Sequence, residues 1–393
     1  MNLQFLTSGE SHGLGLLAIL DGFPAGLPLS ISDFKTDMTR RRLGMGSGLR
    51  MKIEDDTVHI ISGVMEGFTT GAPIGLYISN ADHKEWRNTA IPPFTIPRPG
   101  HADLAGVIKF GINDLRPVSE RASARETAAR VAVGVVCRKL LAQFGIGIAG
   151  WVSAIGSISA DLHSLSISTC ISQAAKSKVN CPDPSSSEAM QSLISTTAKS
   201  GDTLGGVIDI VAIGVPPGLG SFSQWDSRLD SRLGAAILSI PGIKGVEIGK
   251  AFANSRLPGT CVQDPIIKDP DGNLSRSTNN AGGIEGGISN GEPILLHAAM
   301  KPIPSTLASQ NSVDLAQGEI KQTTYERADI CPVPRAVVIL ESMTAYVISD
   351  ALIKKLGGDS IDEMTPRFAA LHHAKLQDLN LTKNEHYFWT EDL

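Results

Sequence analysis

The chain has 393 residues, 42% hydrophobic and 19% charged, with a formal net charge of −5 at pH 7. That length supports one large two-lobed domain or two domains, and the acidic balance argues against nucleic-acid binding through general basicity. The five cysteines (Cys137, Cys170, Cys181, Cys261, Cys331) form no CxxC pair, so neither a disulfide framework nor a metal site is expected, and a reducing, cytoplasmic compartment is. Met1 to Gly13 turns polar at once, which predicts no signal peptide. No apolar run reads as membrane-spanning.

The first motif is Gly9-Glu10-Ser11-His12-Gly13, before a strand-like run. Its small neighbours let His12 face a ligand, though a plain surface turn has the same pattern. Arg40 to Arg50 combines four arginines with three glycines and reads as a positively charged flap for an anionic substrate. The bland alternative is a basic surface patch. Val58 to Ile61 is strand-like, and Arg98-Pro99-Gly100-His101-Ala102-Asp103 then sets a histidine beside an arginine on a Pro-Gly turn.

Arg121-Ala122-Ser123-Ala124-Arg125-Glu126-Thr127-Ala128 reads as a loop entering a helix, with the Ser123/Glu126 spacing of a capping box. The apolar run to Leu141 suits a buried helix ended by Gly145. Backbone N–H groups, the helix dipole and the Arg121 and Arg125 guanidinium forks make its N-terminus a ready anion site. With His101 in reach, such a site moves protons as well as binding charge.

Residues 156 to 200 read as a Ser-rich, solvent-facing excursion with one amphipathic helix after Ser187. Shifting the chain by 192 residues lays Gly22, Pro24, Gly26 and Leu27 over Gly214, Pro216, Gly218 and Leu219. At a shift of 206, Glu120-Arg121-Ala122 meets Glu326-Arg327-Ala328. These echoes predict an internal duplication, two halves meeting near residue 198. Gly205 to Val215, Glu292 to Ala298 and Ala336 to Leu340 are strand-like, and Ala345 to Leu356 is helical, closed by Gly357-Gly358. The glycine-rich run Ala281 to Gly291 has no following helix, so it is neither a P-loop nor a Rossmann fingerprint. It packs its backbone on a ligand or makes a tight β-connection. Lys301-Pro302-Ile303-Pro304-Ser305 is stiff and extended, and Arg327-Ala328-Asp329 pairs an arginine with a carboxylate. Strands and helices do not alternate regularly, so the expected class is α+β. Residues 1–358 form one catalytic domain on this reading, and 359–393 a tail.

Together these segments, with Gly245 to Gly249, resemble the chorismate synthase family in order from residue 8 to about 358. The resemblance implies a β-α-β sandwich and a homotetramer. It implies the anti-1,4-elimination of phosphate from 5-enolpyruvylshikimate 3-phosphate to give chorismate, using reduced FMN without net redox change. His12 looks like the acid serving the phosphate, His101 like the group acting near flavin N1, and Asp329 like the one acting at N5. Arg41, Arg50, Arg98 and Arg125 look like substrate-holding arginines. Flavin contacts would come from Arg121, Ala122, Ser123, Pro241, Gly242, Gly286, Lys301, Pro302, Ile303, Pro304, Ser305 and Arg327. Ser47 stands where many members carry an arginine tied to an NADP contact, Pro241-Gly242 replaces a commoner Asn-Ala, and Ala328 a usual histidine or serine. Two rival classes differ in observable ways. A redox flavoenzyme consumes reductant at each turnover, and an RNA binder on the Arg40–Arg50 loop shows steep salt dependence.

Overall fold

A computed structural model of the chain describes residues 2–48, 54–324 and 329–385. In the first half, strands β1 (Gln4–Ser8) and β2 (Gly15–Asp21) precede helix α1 (Lys35–Arg42). Strand β3 (Val58–Ser62), the small hairpin β4 (Val64–Met65) and β5 (Phe68–Thr69), and strand β6 (Ile74–Ser79) follow. Three short helices, α2 (His83–Trp86), α3 (Asp103–Phe110) and α4 (Arg116–Arg121), lead into the long helix α5 (Thr127–Gln143).

The second half repeats this order. Strands β7 (Gly147–Ile155) and β8 (Ile158–Ser159) are followed by helices α6 (Ile167–Ala174) and α7 (Pro184–Ser200). Then come strand β9 (Gly206–Ile213), helix α8 (Leu229–Leu238) and strand β10 (Ile243–Ile248). Short helices α9 (Ala251–Asn254) and α10 (Gly259–Val262) and hairpin β11 (Ile266–Lys268), β12 (Leu274–Arg276) precede hairpin β13 (Ile284–Glu285), β14 (Ile288–Ser289). Strand β15 (Ile294–Met300), hairpin β16 (Asn311–Asp314), β17 (Glu319–Gln322), and helices α11 (Val333–Leu356) and α12 (Ile361–Ala369) complete the chain.

The sheets are antiparallel, ordered β1-β2-β6-β3 and β8-β7-β9-β15-β10, so β7, β9, β15 and β10 stand where β1, β2, β6 and β3 do. Helix α5 packs on the first sheet, α11 on the second, and the helices pack on each other. Leu16, Leu20, Leu76, Ile208 and Leu296 turn their alternate faces inward onto them in one continuous core. The α+β expectation and the sandwich hold.

The repetition reaches single hydrogen bonds. Thr69 Oγ1 donates to Pro24 O (2.7 Å) and accepts from Leu27 N (2.9 Å); Ser289 Oγ donates to Pro216 O (2.7 Å) and accepts from Leu219 N (2.8 Å). The glycine-rich segment 281–291 is therefore the second copy of the β4–β5 hairpin, a tight β-connection. Because β7 is the counterpart of β1, the matched elements join at Gly145 rather than near 198. The 156–200 excursion lies inside the second copy, where α6 covers Trp151 and Val211.

Three further readings are corrected. Ala336 to Leu340 is helical, because α11 is buried all round and its apolar run carries no period to separate helix from strand. The same helix is long and apolar enough to cross a membrane by length and composition, yet 94% of the qualifying window is buried inside the protein. Ser123 caps a short 3-10 turn (Ala124–Glu126) by accepting from Arg125 N, but Glu126 does not close a box; it turns to Thr7 and Arg130. Within the expected tail, residues 359–364 pack on the first half: Ala25 N donates to Asp359 O, Ile361 N to Ala25 O, and Met364 is fully buried.

Candidate active site

The two central helices begin side by side, and their N-termini floor a cavity of about 600 Å³. The first wall is the loop carrying His12. Gly9 starts it with φ +106°, and a Cβ there would lie 2.3 Å from Gly15 O, so only glycine fits. Asn80 Nδ2 donates to Glu10 O and Gly13 O, and Arg121 donates to Thr7 O and Gly9 O, fixing the loop from both sides. His12 Nδ1 lies 2.7 Å from Glu120 Oε1, and the ring packs on Trp86 with centroids 4.4 Å apart. Its Nε2 is 3.7 Å from Asp82 Oδ2.

The second wall is the Pro-Gly turn. His101 Nδ1 is 2.5 Å from Oδ1 of Asp103, which is fully buried. Arg98 grips the same carboxylate through Nε (2.8 Å) and Nη2 (3.0 Å). A guanidinium only donates, so with Nδ1–H committed to Asp103, the 3.1 Å approach of Arg98 Nη2 to that nitrogen is a contact only. Burial opposes the Asp103 charge, but hydrogen bonds from His101 and Arg98 outweigh it and hold its carboxyl well below the usual range.

A third wall joins distant segments. Lys301 Nζ donates to Gly100 O (2.6 Å), Lys301 N donates to Gly242 O (2.9 Å), and Thr203 Oγ1 donates to Ile303 O (2.8 Å). Pro241, Gly242, Lys301, Ile303, Pro304 and Ser305 thus line one side. On the floor, Asp329 accepts from Gly48 N (2.8 Å) and Arg335 Nε (2.7 Å).

The structure therefore brings together His12, Arg98, His101, Ala122, Ser123, Arg125, Asp329 and that wall. Pro302, Arg121 and Gly286 are not among the lining residues. Arg121 is held against Thr7 and Gly9, and Gly286 tips the hairpin β13–β14. Arg41 is sealed behind the site, bonded to Asp56 (2.7 Å). Burial, with Arg125 and Arg335 nearby, pulls its guanidinium down to about 10 despite Asp56. The expected flap is tied down over its described part: Arg40 pairs with Glu341, Arg42 donates to Glu54 O, and Gly46 O accepts from Ile330 N. Arg50, Arg327 and Ala328 lie outside the described residues. Arg125 lines the cavity, but its side chain is 1% exposed and its fork is committed to Asp56 and Glu54.

Sequence reasoning missed Glu120, Asp82, Trp86 and Arg335. Glu120 stood one residue before the motif quoted above. Arg335 carried a signal in Pro332-Val333-Pro334, since prolines mark a helix start and place Arg335 in its first turn.

Residues 3–353 match the family model described as chorismate synthase. A chorismate synthase of Pelobacter propionicus is 47% identical over 378 residues, covering 92% of this chain and 96% of its own. That of Aquifex aeolicus is 46% identical over 383 residues, with 93% and 96% covered. A crystal structure of chorismate synthase superposes with a TM-score of 0.77 at 40% identity, covering 94% of this chain and 97% of that one. The chain belongs to the chorismate synthase family, the carbon–oxygen lyases that convert 5-enolpyruvylshikimate 3-phosphate to chorismate in the shikimate pathway.

Proposed function

We propose that the cavity at the paired helix N-termini is where this chain carries out the elimination, with reduced FMN as its bound cofactor. The observation that carries the reading is convergence: two histidines, each with Nδ1 against a carboxylate, reach one cavity from unrelated segments. A volume of about 600 Å³ suits a cofactor-sized ligand. The residues fit a flavin. Pro241, Gly242, Ile303 and Pro304 offer apolar lining, and Lys301, Ser305, Ser123 and the Ala122 backbone supply polar groups to the same cavity. When bound, reduced FMN supplies the electron donation to the ring that no side chain can perform.

The remaining work falls to this chain's own residues. Glu120 accepts from His12 Nδ1–H and stabilises the imidazolium, whose Nε2–H is presented to the departing phosphate. Asp103 does the same for His101, which holds a proton at the flavin N1 side. Asp329 takes a proton at N5, its carboxylate kept in place by Gly48 N and Arg335. The helix N-termini favour substrate charge at the floor, and Arg98, held by Asp103, stands beside them in the wall. The working assembly on this reading is a homotetramer, supported by the apolar Leu6, Ile61, Phe222 and Trp225 left exposed on the single chain. A cytoplasmic setting is supported by cysteines that are all free.

The test is an anaerobic assay with pre-reduced FMN. Phosphate and chorismate are expected in equal amounts, with the flavin still reduced after many turnovers. Oxidation of one flavin per product would replace the elimination with a net redox reaction.

A further inference from the structure

The cations that line the cavity are mostly occupied. Arg98 holds Asp103, Arg125 holds Asp56 and Glu54, Lys301 Nζ donates to Gly100 O, and Arg116 lies over Trp86 and Phe94. Arg335 differs. It sits in the first turn of α11, 8% exposed, and its Nε fixes Asp329. Its Nη1 is buried and has no hydrogen-bond partner among the described residues. A buried guanidinium N–H without an acceptor costs free energy, so a native site that keeps one has an acceptor to receive it. The positive end of a 24-residue helix reinforces the demand for negative charge there.

We infer that Arg335 is a substrate-binding residue: Nε anchors Asp329 while Nη1 donates to an oxyanion, carboxylate or phosphate, of the bound substrate. Both are edges of one planar fork, so the anion and the Asp329 carboxylate are held in fixed relation. The inference rests on the assignment of the reaction to this cavity. Position 335 has no arginine in the first copy, where the matching residue is Ala129, so the feature belongs to the second half alone.

The experiment compares Arg335→Gln and Arg335→Lys with the full-length parent. KM and kcat are measured with pre-reduced FMN, and FMN affinity and competitive inhibition by inorganic phosphate separately. Gln keeps one donor for Asp329 and loses the fork; Lys keeps charge and cannot serve both sides. For Gln, KM is expected to rise roughly 10- to 100-fold, the range of a charge-assisted hydrogen bond, with FMN affinity unchanged. For Lys, KM lies between Gln and the parent, and phosphate inhibition weakens in both. Unchanged KM with reduced kcat would make Arg335 only a positioning residue for Asp329, and lost FMN affinity with unchanged KM would move the oxyanion to the flavin; either overturns the inference. His101→Ala separates the two levels. If it keeps parental turnover, the cavity assignment itself fails. If it loses turnover while Arg335→Gln keeps its KM, only the Arg335 inference fails.

Discussion

His101 and Asp103 form one unit: Nδ1 of the histidine lies 2.5 Å from Oδ1 of a carboxylate that is fully buried and also gripped by Arg98. Asp103 has a folded pKa below its ordinary 3.8, so the charged form is the one folding favours. Its contribution is fully present above that value and is lost as pH falls through and below it. Asp103→Asn should therefore melt below wild type at pH 7, and the gap should close as pH falls from about 4 toward 2. Thermal unfolding across that range checks it; a gap that widens with acid would contradict the sign.

The two histidines should behave as proton carriers rather than as binding groups. His12→Ala and His101→Ala should each lower kcat by roughly 10²- to 10⁴-fold. KM for the substrate and the FMN dissociation constant should change far less. Steady-state kinetics with reduced FMN decide this: parental kcat in His12→Ala would remove that residue from the mechanism, and parental kcat in His101→Ala would remove the cavity assignment with it.

Arg125 makes a different prediction from the one its sequence position suggests. Its guanidinium neutralises Asp56 and Glu54, both fully buried at the side chain. Arg125→Ala removes that shared cation, leaving Asp56 to Arg41, and should cost about 3–5 kcal/mol of folding stability. Urea unfolding measures it. A variant with full stability and a raised KM would return Arg125 to the role of a substrate clamp.

Gly134 tests the contact between the central helices. A Cβ at this position would meet Ser342 Cβ at 2.2 Å. Alanine in an open helix gains about 1 kcal/mol over glycine, but overpacking here should reverse the sign by about 1–3 kcal/mol. Gly134→Ala should lower Tm, and Ser342→Gly added to it should recover part of the loss. Equal Tm for parent and Gly134→Ala would mean the helices separate without cost.

Much of this site was legible in the residues, because motifs built on glycine, proline and charge keep their local geometry. Gly9 to His12 and Arg98 to Asp103 lie on the turns their glycines and proline implied, whereas the stiff Lys301 to Ser305 segment was weak by itself and reaches the cavity through Lys301, Ile303, Pro304 and Ser305. The repeated G-x-P-x-G-L turns did mark equivalent elements, as Thr69 and Ser289 show by making the same two hydrogen bonds in each copy. The junction was misplaced because the 156–200 insertion follows β7 and hides the counterpart of β1 from an ungapped comparison. Arg40, Arg41 and Arg42 read as a ligand-facing cluster because sequence cannot show that Glu341, Asp56 and Glu54 come to meet them. The start of α11 was lost for a related reason: a helix buried on every side has no polar face to set its period.

The central claim is that the elimination occurs at the paired N-termini of α5 and α11. A crystal structure of the full chain with oxidised FMN and 5-enolpyruvylshikimate 3-phosphate tests it most directly. The account places both ligands in the cavity bounded by His12, His101, Lys301 and Asp329, with a substrate oxyanion within hydrogen-bond distance of Arg335 Nη1. Ligands bound elsewhere, with His12 and His101 facing only solvent, would contradict it.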